Sequence, residues 1–428
     1  MIPRRTFLTT TAAASVLAQT GSIAESNDAT DNRTIRVGVM GLGRGLQLAT
    51  DLAALPNVQV AYLCDADLKR VAAGQKTFQD KVGRPSEGVQ DFRRILDDPS
   101  IDAMVCAAPN HWHAPATIMA CKAGKHVYVE KPCSHNPLEG EWMIAAAQQY
   151  KCCVQMGTQR RSSPGTQEAI AKLHSGVIGK VHLSRCFYQS LRGTIGKVAD
   201  SQLPADLDYE LWQGPVPRRP YRSNYVHYHW HWFWHWGGGE LANNGVHGLD
   251  LCRWGLQVDY PVRTVSSGGR YWFDDDQETP DTQIVGFEFP DRQQITMNSM
   301  SCNKRTVDYF CAFYGSDGTL ELDGDGRYKI FDKNDKLVEV SGQNNGGQME
   351  HLTNFIQCVR TGRPEELRQP IVEAHKSTLL CHLGNIAQRT GRTVITDPAN
   401  GHILNDNQQS ALWSREYHPD WQEAVSMP

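Results

Sequence analysis

The stretch TIRVGVMGLGRGLQLATDLAAL, residues 34–55, constrains the fold more than any other part of the chain. A short apolar run, a glycine cluster and apolar residues at helical spacing through Leu46, Ala49, Leu52 and Leu55 predict a strand, a tight turn and a helix in immediate succession. Gly41 and Gly43 let the turn close and a pyrophosphate approach the backbone, and the helix behind them offers free N–H groups and a positive dipole end. The third glycine of the usual Gly-x-Gly-x-x-Gly spacing is displaced: Gly45 and Leu46 stand where x and Gly belong, with Arg44 inside the turn.

The next apolar run, VQVAYLCDAD, ends in Asp65 at about the distance where a carboxylate binds adenosine ribose hydroxyls. That position favours NAD. Lys69 and Arg70 follow closely enough to receive a 2′-phosphate, so NADP stays open. A third unit, IDAMVCAAPNHWHAPATIMACKAGKHVYVEKP, predicts a strand over 101–108, a loop over 109–113, a helix to about Ala123 capped by Gly124, and a strand over 126–130. Carboxyl ends of parallel strands face the ligand crevice, which brings Pro109, Asn110, His111, His113, Glu130 and Lys131 to it. Pro132 stops the strand, and the Lys131–Pro132 bond is a candidate for the cis form.

After residue 180 the helical alternation gives way to strand-like runs: VHLSRCFYQ, RTVSSGGRYWF, TQIVGFEF, QQITMNSMS, DYFCAFYG and GTLELDG. Helical stretches over 348–361 and 371–389 follow. At 428 residues and 40% hydrophobic, the chain has material for two or three domains and a large core. Lys plus Arg number 43 against 47 for Asp plus Glu, so no global field attracts phosphate backbones or anionic lipid, and nucleic acid is not an expected partner.

The first residues, MIPRRTFLTTTAAASVLAQTGSIA, read as a twin-arginine export signal: Arg4 and Arg5, then Phe7 and Leu8, an uncharged Thr/Ala-rich run, and small residues at Ser22 and Ala24. The run is too short and Thr-rich for stable membrane insertion. A periplasmic or extracytoplasmic location is therefore expected. The 12 cysteines are scattered without Cys-x-x-Cys, and several sit in apolar runs, which reads as buried reduced thiols. The twin-arginine route is compatible with this, because it carries proteins already folded with any cofactor bound.

The segment WGGGELANNGVHGLD, residues 236–250, joins a bare backbone to polar groups. Together with GLGRG, AAPNHWH and AGKHVYVEKP, and with NFIQCVRTGRP and HLGNIAQRTGR in the later helices, it resembles the glucose-fructose oxidoreductase, inositol dehydrogenase and rhizopine catabolism (Gfo/Idh/MocA) family, in particular its secreted twin-arginine branch. The resemblance covers nearly the whole exported chain. It implies an α/β architecture: a signal peptide and linker over 1–33, a Rossmann NAD(P)-binding domain over 34–156, and over 157–428 a substrate and oligomerisation domain with an open-faced, mostly antiparallel sheet and C-terminal helices and tail. An exposed sheet face needs a partner, so a homo-oligomer, dimer or tetramer, is expected.

The resemblance also implies the site. The family places an Asp and, four residues later, a His at the sugar; here His247 holds the His position and Asn243 the Asp position. Hydride removal from a carbinol carbon requires the hydroxyl proton to leave too, which suits His247 as base, with Lys131 stabilising alkoxide character and Asn243 orienting substrate or imidazole. Neutral Asn cannot hold a positive charge on His247 as Asp would, so the imidazole is expected to be neutral near pH 7.

In NYVHYHWHWFWHWGGG, strand alternation would put His227, His229, His231 and His235 on one face with Tyr228, Trp230, Trp232 and Trp234 on the other, whereas helical geometry would pair His231 with His235. No paired Cys accompanies them, and no metal is expected; these rings are candidates to shape a carbohydrate subsite, Trp234 and His235 among them, with Gln159, Arg160 and Tyr188. Three functions compete. The first is a sugar or polyol oxidoreductase with tightly held NAD or NADP, since an exported enzyme that released its cofactor would lose it. The second is a redox-neutral glycoside-cleaving enzyme working through a keto intermediate. The third is a non-catalytic dinucleotide- and sugar-binding protein, disfavoured by the presence of both Lys131 and His247.

Overall fold

The computed structural model describes residues 33–305, 307–341 and 346–427; the twin-arginine segment lies outside them. Two sheets organise the chain. The first contains β1 (Ile35–Met40), β2 (Val58–Cys64), β3 (Glu87–Val89), β4 (Ala103–Cys106), β5 (His126–Val129) and β6 (Val154–Met156), all parallel, in the order β3-β2-β1-β4-β5-β6. That is the order of a complete dinucleotide-binding sheet.

The second contains β7 (Leu183–Gln189), β8 (Arg263–Gly269), β9 (Thr282–Phe289), β10 (Gln293–Met300), β11 (Cys311–Tyr314), β12 (Gly318–Leu322), β13 (Tyr328–Asp332), β14 (Leu337–Val340) and β15 (Val394–Ile395). Its order is β14-β13-β12-β11-β7-β10-β9-β8-β15, antiparallel except where β7 runs beside β10. The inward residues of β9 and β10 alternate as expected for a one-sided sheet: Val285, Phe287, Ile295 and Met297 are buried, while Ile284 on the other face is exposed.

The helices are α1 (Arg44–Ala53), α2 (Leu68–Val82), α3 (Arg93–Asp97), α4 (Asn110–Lys122), α5 (Pro137–Gln149), α6 (Pro164–His174), α7 (Tyr209–Gln213), α8 (Val246–Leu256), α9 (Gln348–Thr361), α10 (Ile371–Thr390), α11 (Asn407–Ser410) and α12 (Pro419–Val425). Helix α8 packs between the second sheet and α10. Two later elements return to the first sheet. Leu352, Phe355, Ile356 and Val359 of α9 share a core with Val37 and Val39 of β1, and Trp421 of α12 meets Trp112 of α4 edge-on, ring centroids 5.0 Å apart. The C-terminal third thus helps to build the core of the N-terminal domain.

A buried ion pair anchors α8 within the second half. Arg161 donates 2.8 and 2.9 Å hydrogen bonds to both oxygens of Asp250 on α8, and Ser377 and Gln369 donate to the same carboxylate. Burial alone would raise the Asp250 pKa, but Arg161 and the hydroxyl hold it below the ordinary carboxylate value. All 12 cysteines are unpaired, with only Cys302 not fully buried. Among the described residues no helix is long and apolar enough to cross a membrane.

Candidate active site

A cleft of about 470 Å³ opens along the carboxyl edge of the parallel sheet and is closed on its far side by chain from the second half. It brings together Gly41, Gly43, Arg44, Asp65, Arg70, Pro109, Asn110, His113, Glu130 and Lys131 from the first half with Gln159, Tyr188, Asn243 and His247 from the second.

The glycine loop has the geometry a dinucleotide needs. Gly41 has φ +90°, and a Cβ there would lie 2.4 Å from the Ala107 carbonyl oxygen. Only glycine lets these two strand ends approach so closely. Helix α1 starts at Gly43 without a side-chain cap, so the donors of its first turn remain open to a ligand. Gly45 is not on the cleft: its missing Cβ makes room for Val39 and Ala107, so it packs helix on sheet although it stands one position early for that part of the motif. The Asp65 carboxylate accepts from Leu42 N at 2.9 Å and Arg70 Nε at 3.1 Å, which fixes it at the tip of β2. These residues fit a nicotinamide dinucleotide: diphosphate at the Gly41–Arg44 turn, ribose at Asp65. Lys69 departs from expectation. It points outward and pairs with Asp206 at 2.9 Å because it projects from the outer side of α2.

Helix α4 begins at Asn110, so Asn110, His111 and His113 occupy its first turns and not a loop. Pro109, with φ −58°, leads into it. His113 is buried, its Nδ1 2.6 Å from the Pro132 carbonyl oxygen and Nε2 2.8 Å from that of Ala108. It braces the Lys131–Pro132 turn, whose peptide is cis.

Lys131 reaches across the cleft. Its Nζ donates to the Asn243 backbone carbonyl at 2.6 Å and to Asn243 Oδ1 at 3.1 Å. Burial lowers the Lys131 pKa, against the pull of Glu130 and Glu240. Asn243 lies in a π turn, Leu241–Gly245, that leads directly into α8, and such turns often mark functional sites. Its side chain, expected to orient substrate or imidazole, meets Lys131 and lines the cleft with His247. His247 sits one turn on, its Nδ1 buried without a partner; burial, then Arg160 and Lys131, push its pKa well below 6.5.

The residues before this turn are arranged differently from a strand. His229–Trp232 forms a 3-10 turn, and from this region His227, Tyr228, Trp230 and His231 reach the cleft. Trp234 and His235, expected at the sugar, are elsewhere. His235 Nε2 meets the Pro217 carbonyl oxygen at 2.8 Å, and Trp234 lies beneath the Arg389 guanidinium in a separate, smaller cavity. Arg160 is held outside the cleft lining by Gly324 O at 2.8 Å and the Phe310 ring at 4.4 Å. The four histidines do not converge: His227 Nε2 meets Asp67 at 2.9 Å, and among the described residues no three His, Cys, Asp or Glu side chains gather as a metal-binding group.

Spacing gave no sign of Arg192, Leu211 and Trp212, which also line the cleft. Arg192 forms a two-nitrogen pair with buried Glu240, at 3.1 and 3.3 Å. Its place just beyond the carboxyl end of β7 was the available signal. Leu211 and Trp212 arrive on a segment pinned over the crevice, where Leu68 N donates to Asp206 O, and Asp208 N to Ala66 O, each at 2.9 Å.

Comparison with known proteins agrees with this architecture. The myo-inositol 2-dehydrogenase of Thermotoga maritima is 28% identical over 377 residues, 83% of this chain and 96% of that protein. Other curated relatives are matched over less than half their length: 43% of the oxidoreductase YrbE of Bacillus subtilis (28% identical, 35% of this chain) and 34% of a Glycosyl hydrolase family 109 protein of Saccharopolyspora erythraea (29% identical, 35% of this chain). Among solved structures, the aldose-aldose oxidoreductase of Caulobacter crescentus, complexed with glycerol, shares the fold with a TM-score of 0.65 at 22% identity, over 85% of this chain and 100% of that one. Residues 35–158 match the model of the oxidoreductase family's NAD-binding Rossmann fold and residues 187–423 that of its C-terminal alpha/beta domain. With both domain models matched in order along one continuous fold, this chain belongs to the Gfo/Idh/MocA oxidoreductase family.

Proposed function

We propose that this protein is an NAD(P)-dependent oxidoreductase that acts on a CH–OH carbon of a sugar, polyol or glycoside. The observation that carries this reading is the placement of the Lys131 ammonium, held by Asn243, in one cleft with His247 and with the glycine loop of the dinucleotide fold. When bound, the nicotinamide supplies a hydride acceptor. The chain's residues supply the rest. Lys131 hydrogen-bonds the reacting oxygen and stabilises its developing negative charge, while a neutral imidazole of the cleft takes the hydroxyl proton. Tyr188, Trp230 and the wall from Leu211 to Trp212 exclude water and offer flat apolar surface to a sugar ring.

Three finer points belong to the same reading. The cofactor is held tightly, supported by the segment near Asp206 that is hydrogen-bonded across the crevice and by His227 at Asp67. Asp65 favours NAD, with Arg70 beside it keeping NADP open. The protein is exported by the twin-arginine route, supported by Arg4, Arg5 and the run behind them, and pairs into a homo-oligomer through the open sheet face, where Val265 and Ile284 are exposed. Redox-neutral glycoside cleavage is the second reading, favoured by the likeness to a Glycosyl hydrolase family 109 protein.

The test is to purify the protein from the cytoplasm without added nucleotide, denature it, identify any released dinucleotide by mass, and follow the native protein's nicotinamide absorbance while sugars are added. Stoichiometric dinucleotide reduced by a sugar supports the oxidoreductase. Release of free aglycone from a glycoside with no net change in cofactor supports cleavage. A protein that is empty and fails to bind added cofactor overturns both.

A further inference from the structure

Trp234, the ring expected at a sugar, does line a cavity, although not the cleft. This separate cavity of about 250 Å³ is bounded by the Gly237–Gly238 backbone and by one face of α10, where His382, Asn385 and Arg389 follow at helical spacing. Among the described residues that line it, none is acidic.

Two buried acceptors in this lining lack a partner. His135 Nε2 is 3.0 Å from the Trp234 carbonyl oxygen. A carbonyl only accepts, so the neutral ring carries its proton on Nε2 and a lone pair on Nδ1. That Nδ1 is buried with no partner among the described residues, and burial keeps the ring neutral, its pKa well below 6.5. Asn385, also buried, donates from Nδ2 to the Gly238 carbonyl at 2.8 Å, which fixes its amide and leaves Oδ1 unpaired as well. Buried acceptors are seldom left without a donor, so the cavity calls for one.

The rest of the lining selects the kind of donor. Arg389 holds its guanidinium over the Trp234 ring, 5.2 Å from the centroid, and Arg415 is tied to buried Glu139 at 2.5 Å. These cations repel an ammonium group or a metal ion, while the two lone pairs repel an anion. An uncharged molecule with several hydroxyls meets both demands. It donates to His135 Nδ1 and Asn385 Oδ1, accepts from Arg389, and lays C–H surface against the half-buried indole. The volume, just below the range of drug-sized ligand pockets, suits one such ring.

We propose that this cavity is a second carbohydrate site that takes one uncharged polyhydroxy ring, a monosaccharide or cyclitol unit, away from the reacting cleft. It does not rest on the oxidoreductase reading, because none of its lining residues lines the cleft.

The test uses dinucleotide-loaded protein labelled with fluorotryptophan, in which Trp234→Phe and Trp230→Phe each identify one fluorine resonance. Trp230 lines the cleft and reports sugar there separately. Glucose, glucuronate and glucosamine, similar rings of different charge, are titrated in, with myo-inositol as a second uncharged probe. Glucose or myo-inositol is expected to move the Trp234 resonance saturably, at a concentration about tenfold below that of either charged ring. Ser414→Phe, at an exposed position on the cavity, is expected to remove that response and leave the Trp230 response and the melting temperature unchanged. A Trp234 resonance that neither uncharged probe moves means that water alone meets these acceptors, and overturns the proposal. An equal or tighter response to glucuronate or glucosamine overturns the ligand class. A Trp234 response retained in folded Ser414→Phe places the sugar elsewhere and overturns the site; if that variant does not fold, the charge series on the wild type decides.

Discussion

One wall of the cleft is the carboxyl edge of a parallel sheet; the other is the chain between Ser190 and Asn244, which holds one short helix, a 3-10 turn and a π turn. On the first wall, residues are placed by a repeating backbone: every strand ends at the same edge, and whatever follows it faces the crevice. On the second, no period runs long enough to assign a face. Tyr228 and His231, three apart, come together with ring centroids at 4.7 Å, as three residues per turn require, although strand alternation would have separated them. The walls therefore differ in what a substitution should do: backbone identity matters on the first, individual side chains on the second.

The largest effect is expected where the first wall is tightest. Gly41→Val forces a side chain into a φ of +90° and against the Ala107 carbonyl. Strain and overlap together cost on the order of 3 kcal/mol or more. The expected outcome is a protein that purifies without dinucleotide and unfolds at lower temperature, read by mass of released nucleotide and by thermal melting. A variant that keeps stoichiometric dinucleotide would show that this edge does not set cofactor retention.

Next comes Lys131→Met, where the walls meet. The apolar stem is kept and the ammonium removed, so the cofactor should stay bound while sugar-driven reduction slows about 10²–10³-fold, as for loss of one charge-stabilising donor. Loss of cofactor instead of rate would place Lys131 on the nucleotide wall alone.

Asn243→Asp should act through pH. A carboxylate within hydrogen-bond reach of Lys131 favours the charged forms of both the ammonium and the neighbouring imidazoles. In the wild type, burial pushes the His247 pKa well below 6.5, so the rate should hold through neutral pH and fall only in acid, as the imidazole protonates and can no longer accept. The substitution should move that acid limb upward by about one pH unit. An unmoved limb in a pH–rate profile would mean that residue 243 does not govern the cleft's charge.

The same contrast explains what could be read beforehand. Gly41, Gly43, Arg44, Asp65, Asn110, Glu130 and Lys131 were legible because strand ends and glycine turns occur at set intervals, and all seven line the cleft. Asn243 and His247 were legible as a helical pair, but the partner of Asn243 is Lys131, a contact across 112 residues that no local pattern carries. Helix α9 was visible as a helix, yet its packing on β1 was not, because an apolar face does not specify which sheet covers it. Arg192 and Trp212 were missed because they lie in irregular chain, where position depends on tertiary contacts such as Leu68 to Asp206.

The smallest expected effects lie a few residues from the largest on the second wall. His235 is turned to the Pro217 carbonyl and edge-on to Trp236, centroids 4.9 Å apart, and burial with Arg219 nearby pushes its pKa down to about 4. Replacing it by Gln keeps a donor for Pro217, and replacing Trp234 by Phe keeps a ring for Arg389. Each should cost about 1 kcal/mol of stability or less and leave the sugar-driven rate within about twofold. In contrast, Asn243→Asp, eight residues later, should move the acid limb of that rate. If His235→Gln or Trp234→Phe instead slowed reduction tenfold at unchanged melting temperature, the smaller cavity holding Trp234 would have to communicate with the cleft through Gly237 and Gly238, and the boundary between the two sides of the 3-10 turn would not hold.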